Sequence, residues 1–180
     1  MPVDKELDDP YFRNGVFTAG KSEREYDVVV RAFRNSDIPV TIVCEDDYVF
    51  TETDITPNIR ILRFAQVSPV QYYAVADQAF CILNSVTNEK SPCGQILVAY
   101  AMENSKPVIS TDCYGVKDYI VNNVNGILFK AGQADEIRSA YEKIKNDETF
   151  RKSLVSNALV SVKKMSAGNF IEKVITLIEA

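Results

Sequence analysis

The chain has 180 residues, 46% of them hydrophobic and 25% charged, which is enough for one substantial globular domain or at most two small ones. Lys and Arg number 20 against 25 Asp and Glu, a net charge of −5 that argues against nucleic acid as the main partner, because phosphate-backbone binding needs a basic face. With no histidine in the sequence, the Ser-His-Asp and Cys-His arrangements are excluded. No run of about 18 apolar residues is present, so membrane association is at most peripheral.

Residues 1–10 hold Asp4, Lys5, Glu6, Asp8 and Asp9 and read as a flexible acidic lead-in, leaving 11–180 as the domain. Residues 15–19 form a short strand ending at Gly20, followed by KSERE and a helix over 26–34 with Val28, Val29, Ala32 and Phe33 on its apolar face. A second strand over 39–44 leads into an acidic turn with Glu45, Asp46 and Asp47, and a third spans 58–64. Ser68 followed by Pro69 is a helix-start signature, placing a helix to about residue 77.

The stretch 79–112 organises the rest. An apolar strand at 79–83 gives way to a polar loop with Glu89, Lys90, Ser91 and Pro92, and Gly94 then opens a helix. Ile96, Leu97, Ala99, Tyr100 and Met102 are expected on its sheet-facing side, and a strand over 107–111 closes the βαβ unit. Beyond it the pattern predicts a short helix over 114–122, a turn at Asn125-Gly126, a strand over 127–129, a helix over 134–146 and another from Asp147. A last helix is expected over 169–179, with Phe170, Ile171, Val174, Ile175 and Ile178 on one side. This alternation predicts a single Rossmann-like α/β domain, a parallel β-sheet with helices on both faces. In such sheets ligands lie beyond the carboxyl ends of the strands, where helix N-terminal amides can receive phosphate. The loop 85–94 is therefore the first candidate site, although a strand-to-helix loop without a ligand fits the same pattern.

Cys44, Cys81, Cys93 and Cys113 contain no CxxC pair, so reduced thiols in a cytoplasmic setting are expected and a zinc site is not indicated. Asp46-Asp47 lies in an acidic turn without a third ligand, and no metal is expected there.

From Gly15 to about Ile178 the chain resembles the carboxyl-terminal, donor-binding domain of GT-B glycosyltransferases of family 4, the group 1 retaining enzymes. Gly20-Lys21 followed by Arg24 is similar to the family's Gly-Arg and downstream Lys, which hold the donor diphosphate. Glu89, Gly94 and AMENSKPVIS resemble the Glu, Gly and EAMACGKPVI series, and TDCYGVKDYIVNNVNGILF resembles the run of aspartate, Gly-Gly, acid, Ile and Asp-Gly-x-Asn-Gly. The resemblance implies one half of a GT-B fold that binds a UDP- or GDP-sugar for polysaccharide or glycoconjugate biosynthesis, with no cofactor and no metal. It also implies an amino-terminal acceptor-binding domain, or a separate subunit in its place, and a cytoplasmic location that extends to the inner face of the membrane. Lys21, Arg24, Gly94, Gln95 and Ile96 would hold the diphosphate. Glu89 would act at the sugar, and Glu89, Ser91, Cys93 and Tyr100 would line the sugar or nucleotide pocket.

The sequence departs from the family pattern at several points. Tyr100 stands at the ribose-binding glutamate, Cys93 at a phenylalanine, Ser105 at a common glycine and Cys44-Glu45 at another, and the loop between Glu89 and Gly94 is longer. These departures keep open a non-catalytic docking module that no longer binds donor. Other readings of single residues also stand. Lys21 and Arg24 fit a solvated loop neutralised by Glu23 and Glu25, and Glu89 fits a surface ion pair with Lys90. Gly94 fits a tight helix start. Asp118 matches a family acid and equally a solvated residue beside Lys117, while Phe64, Tyr72 and Tyr73 could border a base pocket or belong to the core. A sugar-nucleotide epimerase is a weaker alternative, since its carboxylate and histidine chemistry is missing.

Overall fold

The computed structural model of the chain describes residues 9–165. Six strands, β1 (Val16–Ala19), β2 (Val40–Cys44), β3 (Ile59–Arg63), β4 (Cys81–Asn84), β5 (Val108–Thr111) and β6 (Ile127–Phe129), form one sheet in the order β3-β2-β1-β4-β5-β6. Every pairing is parallel, with Val16 opposite both Val40 and Cys81 at the centre. Helices α1 (Tyr26–Phe33), α2 (Pro69–Gln78), α3 (Gln95–Glu103), α4 (Ala134–Asn146) and α5 (Glu148–Lys164) cover the two faces, as the alternating pattern predicts. β1, β2, β4 and β5 are buried along their whole length, and β1, β2 and β4 are mostly apolar runs rather than alternating ones.

Two cores result, one per face. On one, Val29 and Phe33 of α1 meet Ile137, Tyr141 and Ile144 of α4. On the other, Phe17 of β1 meets Val75 of α2, Leu97 and Met102 of α3, and Ala158 and Val162 of α5. The Tyr26 hydroxyl donates to the carbonyls of Gly20 (2.8 Å) and Val43 (3.1 Å), tying the start of α1 to the ends of β1 and β2. Ser68 caps α2 reciprocally with Gln71: its Oγ accepts from the Gln71 amide (3.3 Å) and Gln71 Oε1 accepts from the Ser68 amide (2.8 Å).

Two expectations are corrected. α3 buries Leu97, Val98, Ala101 and Met102, whereas Ile96 is 83% exposed. Every residue of Ile96–Met102 except Tyr100 is aliphatic or thioether, so periodicity could not choose a face, and packing selected the arc opposite Ile96. The predicted helix over 114–122 is only a 3-10 turn at Tyr114–Val116 followed by a loop. Buried Asn125 holds that loop: its Oδ1 accepts from the Val121 amide (2.7 Å), and its Nδ2 donates to the Tyr119 carbonyl and to Ser161 Oγ (3.0 Å each). The helix expected over 169–179 and the lead-in through residue 8 lie outside the described residues.

The sheet order reverses at its middle. The chain builds outward from β1 to β3, then returns to place β4 on the other side of β1. The connections leaving β1 and β4 therefore run in opposite directions, which opens a crevice beyond their carboxyl ends.

Candidate functional site

The chain leaves β1 through Gly20, whose φ of +147° disfavours a side chain, and a Cβ there would lie 2.0 Å from Arg24 Nε. The Arg24 guanidinium is thus folded across Gly20 onto the ends of the central strands. There its Nη1 donates to Asn84 Oδ1, Asn84 Nδ2 donates to Ser110 Oγ (2.9 Å), and Ser110 Oγ donates to the Thr111 carbonyl (3.0 Å). This polar ladder crosses from the β1 loop to β4 and β5. Arg24 Nε is buried and has no hydrogen-bond partner among the described residues.

Gly94 closes the other side of the ladder. Its φ is +106°, and a Cβ would lie 2.4 Å from Asn84 Nδ2, so Asn84 is boxed between two glycine-dependent turns. α3 starts immediately afterwards with no side-chain cap and no acidic residue in its first turn. The amides of Gln95 and Ile96 have no intrahelical acceptor and carry the positive end of the helix. The two loops are laced together: the Thr87 amide donates to the Glu23 carbonyl (2.9 Å), the Glu25 amide to the Ser85 carbonyl (3.3 Å) and Ser85 Oγ to the Glu25 carbonyl (2.9 Å).

Between them lies a cleft of about 350 Å³, bordered by Gly20, Lys21, Ser22, Arg24 and Tyr72 on one side and by the 92–97 segment on the other. Lys21 is 62% exposed along its side chain, with Nζ 3.4 Å from the Glu45 carboxylate and 4.9 Å from the Phe64 ring centre. Tyr72 stacks on Phe64 with ring centres 6.2 Å apart and meets Phe17 edge-on. Burial pushes its phenol up to about 12, so it stays neutral and presents a flat wall.

The structure brings Lys21, Arg24, Cys93, Gly94, Gln95 and Ile96 together around this cleft. Glu89, Ser91 and Tyr100 do not border it. The Tyr100 hydroxyl donates to the Asp77 carboxylate on α2, and its ring lies 5.1 Å from Tyr73. Burial and the neighbouring Asp77 raise its pKa. Ser91 is buried under the loop, where Oγ accepts from the Cys93 amide (3.3 Å) and its carbonyl from Gly115 (3.0 Å). Gly115 is needed for that approach, because a Cβ would stand 2.3 Å from the Cys93 carbonyl oxygen. Glu89 is exposed on the rim of the same loop, and Asp118 is exposed outside the cleft lining. Asp46 accepts from the Ala65 amide (3.4 Å). Asn84, which positions Arg24, escaped sequence reasoning. Its signal was an amide ending an otherwise apolar strand, Cys-Ile-Leu-Asn.

The four cysteines are free thiols. Among the described residues no cluster of His, Cys, Asp and Glu is placed to hold a metal ion, and no helix is long and apolar enough to cross a membrane.

The family model for glycosyl transferases group 1 matches residues 51–160, from the β2–β3 loop through most of α5. The chain belongs to this family. No curated protein sequence matches it. Among solved structures, this group 1 chain is similar to a glycosyltransferase from Rickettsia africae, with a TM-score of 0.75 and 16% identity over 96% of this chain and 48% of that one. HepE from Anabaena, solved with UDP and glucose, gives a TM-score of 0.74 at 14% identity over 93% of this chain and 48% of that one. The carboxyl-terminal domain of the group 1 protein LpcC from Francisella tularensis gives 0.63 at 14% identity, covering 83% and 85% of the two chains. The chain thus spans about half the length of the first two, and these likenesses are of fold, one half of a GT-B architecture.

Proposed function

We propose that this group 1 chain is the nucleotide-sugar donor-binding domain of a retaining glycosyltransferase acting in polysaccharide or glycoconjugate assembly. The observation that supports this most is the pairing of two cations, Lys21 and Arg24, with the uncapped start of α3 across one cleft at the strand-order reversal. Cleaving the bond between a sugar and a diphosphate places negative charge on the leaving group. Donors fixed in advance stabilise that charge more in the transition state than in the ground state. Arg24 is held in place by Asn84, Lys21 supplies a compact charge, and the amides of Gln95 and Ile96 add the helix start. This cationic set needs no metal partner. Tyr72 and Phe64 offer the base a stacking surface, and Glu89 on the rim is the group we assign to sugar hydroxyls.

The acceptor would come from a further domain or a separate subunit, as fits a chain half as long as HepE, which has been solved with UDP-glucose. The setting would be cytoplasmic, at most peripheral to the inner membrane face. Alone, the chain would bind donor weakly and turn over little. A second reading, a docking module without donor binding, is favoured by the exposed Ile96, Val70 (64%) and Tyr73 (45%) and by the commitment of the Tyr100 hydroxyl to Asp77. Titration with UDP, GDP and their sugars, together with a transfer assay, separates them. The donor domain should bind in the micromolar to millimolar range without appreciable transfer. Absence of binding at millimolar nucleotide would leave the docking module, and robust transfer by the chain alone would contradict the half-enzyme assignment.

A further inference from the structure

Glu45 is the acid that pairs with a cation of the cleft, 3.4 Å from Lys21 Nζ. It follows directly on β2, next to β1, so its carboxylate stands at the same end of the crevice as the cations. Its backbone is fixed independently of its side chain, because the Glu45 carbonyl accepts from Arg63 Nη1 (2.7 Å) and from the Tyr48 amide (3.2 Å). The Phe64 ring holds Lys21 from a second direction, at 4.9 Å, and this contact leaves the ammonium free to exchange one oxygen partner for another. A carboxylate oxygen thus stands at a place on Lys21 that a phosphate oxygen would take.

We infer that Glu45 sets the ligand charge that the cleft accepts. This deepens the donor-site reading and rests on it. When a diphosphate engages Lys21, Glu45 loses its partner but stays beside the bound anion, and the resulting repulsion grows with the charge of that anion. A nucleotide sugar carries a doubly esterified diphosphate with two negative charges. A free nucleoside diphosphate has a terminal phosphate whose second ionisation lies near pH 6, so above about pH 7 it carries a third charge. Glu45 therefore weakens the nucleoside diphosphate, the product of sugar transfer, more than the donor, and favours exchange of one for the other. The cleft lining itself holds the two cations and no carboxylate, so Glu45 at its edge is the acid that reaches Lys21.

The test is calorimetric titration of the wild-type chain and Glu45→Gln with UDP and UDP-glucose at pH 8 and low salt. Thermal unfolding of both proteins serves as a control for folding. Glu45→Gln should bind UDP about three-fold tighter, with a smaller gain for UDP-glucose. The difference between the two proteins should shrink in 1 M salt, where charges about 3 Å or more apart are screened. UDP binding that is unchanged or weaker in Glu45→Gln would overturn the proposal while leaving the donor site standing, and so would an equal gain for both ligands. Failure of both proteins to bind either ligand while remaining folded would remove the donor site and this inference with it.

Discussion

Two polar regions lie along the carboxyl edge of the sheet, one clasping the strap that follows β2, the other facing the cleft between β1 and β4. In the clasp the donors and acceptors are matched. Asp27 accepts from the amides of Thr51 and Glu52 (2.7 Å each) and from the Tyr48 hydroxyl (3.0 Å), while Glu52 receives Arg31 (3.1 Å) and Arg34 (3.0 Å). At the cleft the balance is left open: among the described residues Arg24 Nε has no acceptor, and the first turn of α3 has no side-chain cap. Buried polar groups are normally satisfied, so unmatched donors beside a cleft fit the anionic ligand proposed for it. The strap needs nothing beyond the chain itself.

Breaking the cleft should have the largest effect. Gly94→Ala places a Cβ against the Asn84 amide at a left-handed φ, which forces Asn84 off Arg24 and Ser110. We expect a loss of about 2 to 3 kcal/mol in denaturant unfolding together with loss of nucleotide binding. Breaking the clasp should separate stability from binding. Asp27→Ala removes charge-assisted hydrogen bonds and should cost about 2 kcal/mol, with UDP affinity unchanged.

The clasp also predicts a pH dependence. Burial acts to raise the Asp27 pKa, but the amide of Glu52, the hydroxyl of Tyr48 and the donors of Thr51 outweigh it and hold the carboxyl below its ordinary value of 3.8. A depressed carboxyl contributes its full stability above the unfolded-state pKa and loses it as pH falls through the folded-state value. Thermal unfolding between about pH 5 and pH 2 should therefore fall more steeply for wild type than for Asp27→Asn.

The smallest expected loss of stability belongs to Arg24→Ala. It leaves Asn84 Oδ1 without its donor, for about 1 kcal/mol of stability, while weakening UDP at least ten-fold, which is about 1.4 kcal/mol or more.

The sheet was legible because most of its strands begin as short apolar runs that give way to polar or glycine residues, and Ser68-Pro69 announces α2 without tertiary context. The cationic end of the cleft was legible for a similar reason. Gly20-Lys21, Arg24 and Gly94 sit where strands end and a helix starts, so topology alone brings them together. What stayed hidden depended on choices made by packing. A helix apolar on nearly all sides gave no reason to turn Ile96 outward, and nothing local placed the Tyr100 hydroxyl on Asp77, 23 residues away. The 114–122 segment, with Gly115 and β-branched Val116, Ile120 and Val121, has little helical propensity to defend, and the Asn125 side chain takes the Val121 amide and the Tyr119 carbonyl in a loop instead. Glu45 drew notice as part of an acidic turn and as a departure from a glycine, but its contact with Lys21 required β1 and β2 to be set side by side.

The account turns on whether the cleft at the ends of β1 and β4 holds a diphosphate. Amide chemical-shift titration of the isotope-labelled chain with UDP tests this most directly, run in parallel on the Lys21→Ala, Arg24→Ala double variant. The account predicts shifts concentrated in residues 20–24 and 94–97, none in the strap 48–52, and an affinity of about −8 to −4 kcal/mol that disappears in the double variant. Shifts scattered away from the cleft, or none at millimolar UDP, would contradict it.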